Sequence, residues 1–178
     1  MLNNQQNNQL NVRTMTILAM FTAISIVLTR FLVFQPMPSV RLELGNVPIM
    51  LAGFMFGPLA GMLVGAAADF AGAIIRGQGF DIPLMLVPMF MGGMAGLLRN
   101  YIVKNPSYPK ILGFTLTVNI IGKILWTTYW LSIIIGRPFM EILPIRIGVY
   151  TIIPILEAAV IFGLVSNVAF KRIVLRGE

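Results

Sequence analysis

Cysteine and histidine are both absent from the 178 residues. Their absence excludes disulfides, thiolate metal sites, thiol nucleophiles and imidazole bases together. Charge is scarce as well: Asp, Glu, Lys and Arg make up 11% of the chain, and only six of them are acids, whereas a soluble domain is about a quarter charged. No H-E-x-x-H, Walker A or G-x-S-x-G pattern occurs, so no catalytic residue, metal ligand or resident cofactor is assigned, and the chain is not read as an enzyme. Any ATP used on its behalf is hydrolysed by another chain. There is no basic run of the kind that tracks nucleic acid, and no repeat of 20 to 50 residues of the kind that builds a transport path from two matched halves.

What is present is apolar surface. Hydrophobic residues are 57% of the chain and mean hydropathy is +0.87, so lipid is the expected solvent. A helix needs about 20 residues to cross a hydrocarbon layer of roughly 30 Å, which leaves room for about six crossings. The expectation is an all-α membrane protein with six transmembrane helices, in one domain spanning 12–178. Residues 1–11, rich in Asn and Gln, are expected to form a short disordered tail.

The apolar segments fall at about Thr14–Phe34, Val47–Phe56, Leu59–Arg76, Ile82–Ile102, Ile111–Ile135 and Ile147–Val168. Between the first two, Pro36 and Pro38 favour extended backbone, and Arg41-Leu42-Glu43 leads into the second. Gly57-Pro58 marks a break whose exact side is not set by periodicity, because both flanks are apolar all round. The polar stretch Val103–Lys110 and the link Phe139–Arg146 separate the later segments.

Six crossings put both termini on one side with Arg13, Arg99, Lys104, Lys110, Lys171, Arg172 and Arg176, leaving Arg30, Arg41, Arg76, Arg137 and Arg146 on the other. The bias favours cytoplasmic termini. Five outward arginines then call for a separate reason. With Lys123, they suit a ligand that carries carboxylates.

Several features are candidates for chemistry. Asp69 lies in the apolar run Gly65–Ala71, where an unpaired acid costs a few kcal/mol by insertion scales, and Arg76 follows it two turns along the same face. Lys123 and Glu157 are further intramembrane charges that can neutralise each other. Trp126, Tyr129 and Trp130 suit an interfacial belt or, equally, the face of a flat ring. Ala19 and Ala23 place small side chains one turn apart, and Gly53, Gly57, Gly61 and Gly65, with Gly92 and Gly96, continue that spacing. Such faces admit another helix at close range, within the chain or from a partner.

This order resembles the S components of energy-coupling factor (ECF) vitamin transporters. These are six-helix membrane proteins that capture a vitamin and dock onto a transmembrane coupling subunit carrying two ATPases. The Ala19/Ala23 pair is similar to the family's first-helix docking motif, and Val47-Pro48 through Gly57-Pro58-Leu59-Ala60-Gly61 to Ala68-Asp69 is similar to its second and third helices. Trp130–Phe139 followed by Leu143-Pro144-Ile145-Arg146 resembles the folate branch, although Lys123 precedes Trp126 and Gly148-Val149-Tyr150 follows Arg146 where that branch often has other residues. The resemblance implies a folate-like substrate, with Arg30, Arg41, Asp69, Arg76, Lys123, Trp126, Arg137 and Arg146 as its contacts and Arg41 in a lid with Pro36 and Pro38. Ala19 and Ala23 would dock the coupling subunit, in a cell membrane whose lipid surrounds the whole. The alternatives are another anionic vitamin such as pantothenate, a lipid-headgroup enzyme using Asp69 and Glu157, or a membrane scaffold without transport.

Overall fold

The computed structural model of the chain describes residues 12–31, 33–37, 40–77, 81–104 and 106–167. The expected tail at 1–11 and the basic stretch Lys171-Arg172 lie outside the described residues, as do Pro38 and the side chains of Pro36, Arg41 and Arg76.

The elements run α1 (Val12–Arg30), β1 (Phe34–Met37), β2 (Val40–Leu42), α2 (Asn46–Phe56), α3 (Pro58–Arg76), α4 (Ile82–Leu97), α5 (Arg99–Val103) and α6 (Tyr108–Asn119). A π-helical segment (Ile120–Trp126) carries α6 without a break into α7 (Thr127–Ile135), and α8 (Phe139–Tyr150) and α9 (Ile153–Val165) follow. Among the described residues the ordered elements are helical apart from one antiparallel hairpin, β1 against β2, in which Phe34 is paired with Leu42 and Met37 with Val40. Extended backbone is what the proline-bearing stretch demands.

Three helical stretches are long and apolar enough to cross a bilayer: Pro58–Ile75, Tyr108–Ile135 and Phe139–Val165. Thr14–Arg30, Asn46–Phe56 and Ile82–Leu97 are shorter apolar helices. The shortness of α2 has a structural cause. At 1.5 Å per residue its 11 residues span about 16 Å, roughly half a hydrocarbon layer, because the extended hairpin before Asn46 and Gly57 after Phe56 bound it closely.

Two boundaries differ from the sequence expectation. Leu59–Leu63, undecided by periodicity, belongs to α3, because Gly57 at φ 93 ends α2 and Pro58 opens the next helix. Phe139–Arg146, expected to be a link, is helical: Pro138 precedes α8 and Pro144 lies inside it, with Arg146 beyond Pro144 and buried. An arginine in a membrane segment reads as a loop only while its partners are unknown.

The tightest packing is among α2, α3 and α4, and glycine is its cause. A Cβ at Gly61 would lie 2.6 Å from the Gly92 carbonyl carbon, one at Gly92 would lie 2.5 Å from that of Gly61, and one at Gly53 would lie 3.0 Å from Gly96 N. The glycine row therefore brings backbones together within the chain, which uses up the close-approach face for internal packing. Around this seam Val47, Met50, Leu51, Phe54, Met91, Ala95, Phe114, Val118 and Ile161 form the main core, and Leu18, Ile49, Ala52, Ala60, Val64 and Ala68 seat α1 on α2 and α3. Outward, Leu59, Phe70, Ile74, Leu125, Ile133, Leu156 and Leu164 are exposed. Such a girdle would be a liability in water and is the expected surface in lipid.

Candidate ligand-binding site

The connections give the bundle two ends. The hairpin end holds β1 and β2, the link after α3 and the link between α7 and α8; the opposite end holds Gly57 and the segment between α4 and α6. Between them lies a polar cluster in the apolar interior, built from α2, α6, the π-helical segment, α8 and α9.

Its centre is Glu157, fully buried in α9. Asn46 Nδ2, from the first turn of α2, donates to Glu157 Oε1 at 3.1 Å, and Asn119 Nδ2, from the end of α6, donates to Oε2 at 2.7 Å. Lys123 Nζ stands 3.8 Å from Oε1. The carboxylate also lies by the N-terminal end of α2, where helix dipoles favour negative charge. These contacts answer the cost of placing a carboxylate in the membrane interior.

Beside this acid sits Arg146, only 2% exposed. Its Nη2 donates to the Lys123 carbonyl at 2.7 Å. Its guanidinium carbon lies 4.6 Å from the centre of the Tyr150 ring, and Lys123 Nζ lies 5.6 Å from the same centre, so one aromatic ring serves two cations. That the Lys123 carbonyl accepts from a side chain is a matter of π-helical geometry, since the i to i+5 ladder disturbs the regular pairing of carbonyls there. Nearby, Thr115 Oγ1 donates to Pro154 O at 3.0 Å, tying α6 to the start of α9.

The cluster is not saturated. Asn119 Oδ1, Lys123 Nζ, Thr128 Oγ1 and Trp130 Nε1 are buried without a hydrogen-bond partner. They lie on the π-helical segment or within one turn of it. Buried polar atoms are ordinarily satisfied, so these four stand out along one helix.

The hairpin approaches this cluster. Leu42 of β2 packs with Ile124, Tyr150 and Ile153, and Ser25 Oγ of α1 donates to Gly45 O at 2.8 Å, pinning the strand-to-helix turn below it. Arg41 precedes Leu42 in β2, so the strand that carries it is the one that reaches this cluster.

The other sequence candidates are dispersed. Asp69 pairs with Arg30 of α1, Oδ1 to Nη2 at 3.4 Å; the Arg76 side chain lies outside the described residues. Arg30 also lies against Gly72, where a Cβ would stand 2.7 Å from Nη2. Trp126 is 42% exposed and its Nε1 donates to Pro83 O at 2.7 Å, bracing the π-helical segment against α4. Arg137 is exposed and paired with Glu141 one turn away at 3.4 Å. Ala19 and Ala23 are exposed on α1. Among the described candidates, Lys123 and Arg146 share one site. Asn46, Asn119 and Thr128 were not singled out by sequence, although an amide one turn before Lys123 was a signal on the same helix face.

A small apolar bundle with one buried, cationic and partly unsatisfied cluster beneath an extended hairpin is a membrane-embedded substrate-binding protein. The chain belongs to the family of substrate-specific components of ECF transporters, whose family model matches residues 13–175, and accordingly it is a transport protein of the membrane and not an enzyme. It is 30% identical over 152 residues to the folate transporter FolT of Clostridium novyi (strain NT), covering 85% of this chain and 87% of that one. The fold is shared with a crystal structure of FolT bound with folic acid, at a TM-score of 0.79 and 20% identity, over 90% of this chain and 98% of that chain. It is also shared with an S component for biotin from an ECF-type ABC transporter, at a TM-score of 0.64 and 23% identity, over 98% and 99% of the two chains.

Proposed function

We propose that this chain is the folate-binding subunit of an ATP-driven ECF importer. The observation that carries the reading is its identity to the Clostridium novyi folate transporter over nearly the whole length of both chains. The buried cluster supports it chemically: Lys123 and Arg146 offer charge to a carboxylate, Tyr150 and Trp130 offer ring faces, and the open polar atoms offer hydrogen bonds to a heterocycle. Arg30, Asp69, Trp126 and Arg137 frame the hairpin end, with Arg41 and Arg76 carried by β2 and α3.

The same reading takes residues 12–178 as one domain of six crossings, in which α6 with α7 and α8 with α9 each form one span. Both termini are cytoplasmic and the hairpin closes the site on the outside. The exposed face of Ala19 and Ala23 docks a transmembrane coupling subunit that bears two ATPases. A second reading keeps the fold and changes the vitamin; it is favoured by the fold shared with the biotin component.

Purified protein in detergent, heated with folate, biotin, pantothenate or riboflavin, tests both. A ligand that binds only the folded state at 100 times its Kd adds about 2.7 kcal/mol of stability. Folate alone should raise the unfolding temperature. Stabilisation by biotin or pantothenate with none by folate overturns the first reading, and silence from the whole panel overturns both.

A further inference from the structure

At the end of the bundle away from the hairpin, a groove of about 380 Å³ runs between α4, α5 and α6. Met94, Leu98, Ile102, Phe114 and Val118 make it apolar. Gly113 leaves it open: a Cβ there would meet nothing within 4 Å. Thr117, also on its wall, spends its hydroxyl on Gly113 O at 2.8 Å.

Its rim is cationic. Lys110 Nζ lies 4.8 Å from the Tyr101 ring centre, and among the described residues no carboxylate lies within 4.0 Å of it. Arg99 and Lys104 lie on the same short stretch, and the sequence has no acid between Asp81 and Glu141. Tyr101 is exposed, as an interfacial tyrosine is. From Lys110 the groove reaches inward to Val118, about 12 Å along α6. A headgroup at the polar loop with a chain directed toward the bilayer centre has that same layout.

We propose that this groove holds an acyl chain of an anionic phospholipid whose phosphate meets Lys110. A zwitterionic lipid brings its own ammonium to a rim already rich in cations, whereas a net anionic headgroup is complementary to it. The headgroup end of the site is distinct from the polar cluster, since Lys123 lies about 20 Å from Lys110 along the same continuous helix, while the inner end at Val118 adjoins Asn119.

Native mass spectrometry of the purified full chain tests this, with phosphatidylglycerol or phosphatidylcholine of identical acyl chains added. Phosphatidylglycerol should be retained at least tenfold more strongly. Gly113→Leu, which fills the groove, should abolish that retention, and Lys110→Gln should remove the preference between the two lipids. Equal retention of both lipids overturns the proposal. So does retention unchanged in Gly113→Leu, or a groove whose filling dissolves a dimer and leaves lipid binding intact. Helix content and thermal unfolding report whether each variant folds; should Gly113→Leu fail to fold, a preference for phosphatidylglycerol undiminished in Lys110→Gln overturns the proposal.

Discussion

Replacing Glu157 by leucine should be among the most destabilising single changes in the chain, and the structure says by how much. Lys123 Nζ lies 3.8 Å from the carboxylate, an attraction of about 4 kcal/mol at an effective dielectric constant of about 20. Removing the acid strands that ammonium and leaves the Asn46 and Asn119 donors without their acceptor, so Glu157→Leu should cost about 3–5 kcal/mol, the usual result of breaking one side of a buried ion pair. Lys123→Met should cost a similar amount, because the carboxylate then keeps only two amide donors. With both replaced, neither member of the pair is left as a stranded charge, and the added cost is that of two unpaired amides, about 1–3 kcal/mol each. The double variant should therefore be less destabilised than the sum of the singles by about 3 kcal/mol. Reversible unfolding in mixed detergent micelles measures all four corners of this cycle. Additivity within about 0.5 kcal/mol, the behaviour of independent sites, would refute the reasoning and leave the charges as bystanders.

Three further outcomes are expected. Gly92→Ala should lower stability by about 1–3 kcal/mol through overpacking against Gly61 and Ile49, while Gly163→Ala, with nothing within 4 Å of the added methyl, should be neutral or stabilising by up to about 1 kcal/mol; denaturant midpoints compare the two. Arg146→Gln should weaken folate binding about 10- to 100-fold, the value of one charge-assisted contact, measured by titration calorimetry, and an unchanged Kd would remove Arg146 from the site. Ala23→Trp should leave thermal stability within about 0.5 kcal/mol, since the position is exposed, yet abolish copurification of a coupling subunit; a complex that survives the bulky side chain would place the docking face elsewhere.

How much of this was legible in the sequence depends on the range of each contact. Hydrophobic content and proline placement are local, and they gave the helical class, the non-helical stretch at Pro36 and the break at Gly57. The mutual neutralisation of Lys123 and Glu157 was legible because two lone opposite charges in lipid have few other options. Asp69 shows the limit: Arg76 is its neighbour along the helix, whereas its contact with Arg30, 39 residues away in sequence, could not be foreseen, because no periodicity reports a contact between helices. The glycine spacing likewise announced a close approach without naming the surface approached, which proved to be α4. Asn46 and Asn119 were passed over because an isolated amide in an apolar segment carries no charge to draw notice, although burial makes its partners just as obligatory. Arg137 is grouped with Arg146 in sequence by their common side of the membrane, and the fold sets them in different surroundings, one paired with Glu141 at the surface and the other buried on Tyr150.

The contacts divide the bundle by the means that hold it. On the side of α2, α3 and α4, glycine backbones touch, and such a seam tolerates almost no sliding, because even a methyl group has no room. On the side of α6 to α9, cohesion at the cluster comes from a few directed hydrogen bonds around Glu157, interrupted by polar atoms that have no partner. Asn46 belongs to both: it opens the rigid α2 and holds the acid of the polar half. The hairpin joins the bundle between these two regimes, fixed at its base by Ser25 to Gly45 and resting through Leu42 on Tyr150. The hairpin therefore rests through Leu42 on the cluster of Ile124, Tyr150 and Ile153, while the glycine seam supplies the fixed frame. The bonds with latitude to rearrange lie in the polar half, and they surround the two buried cations.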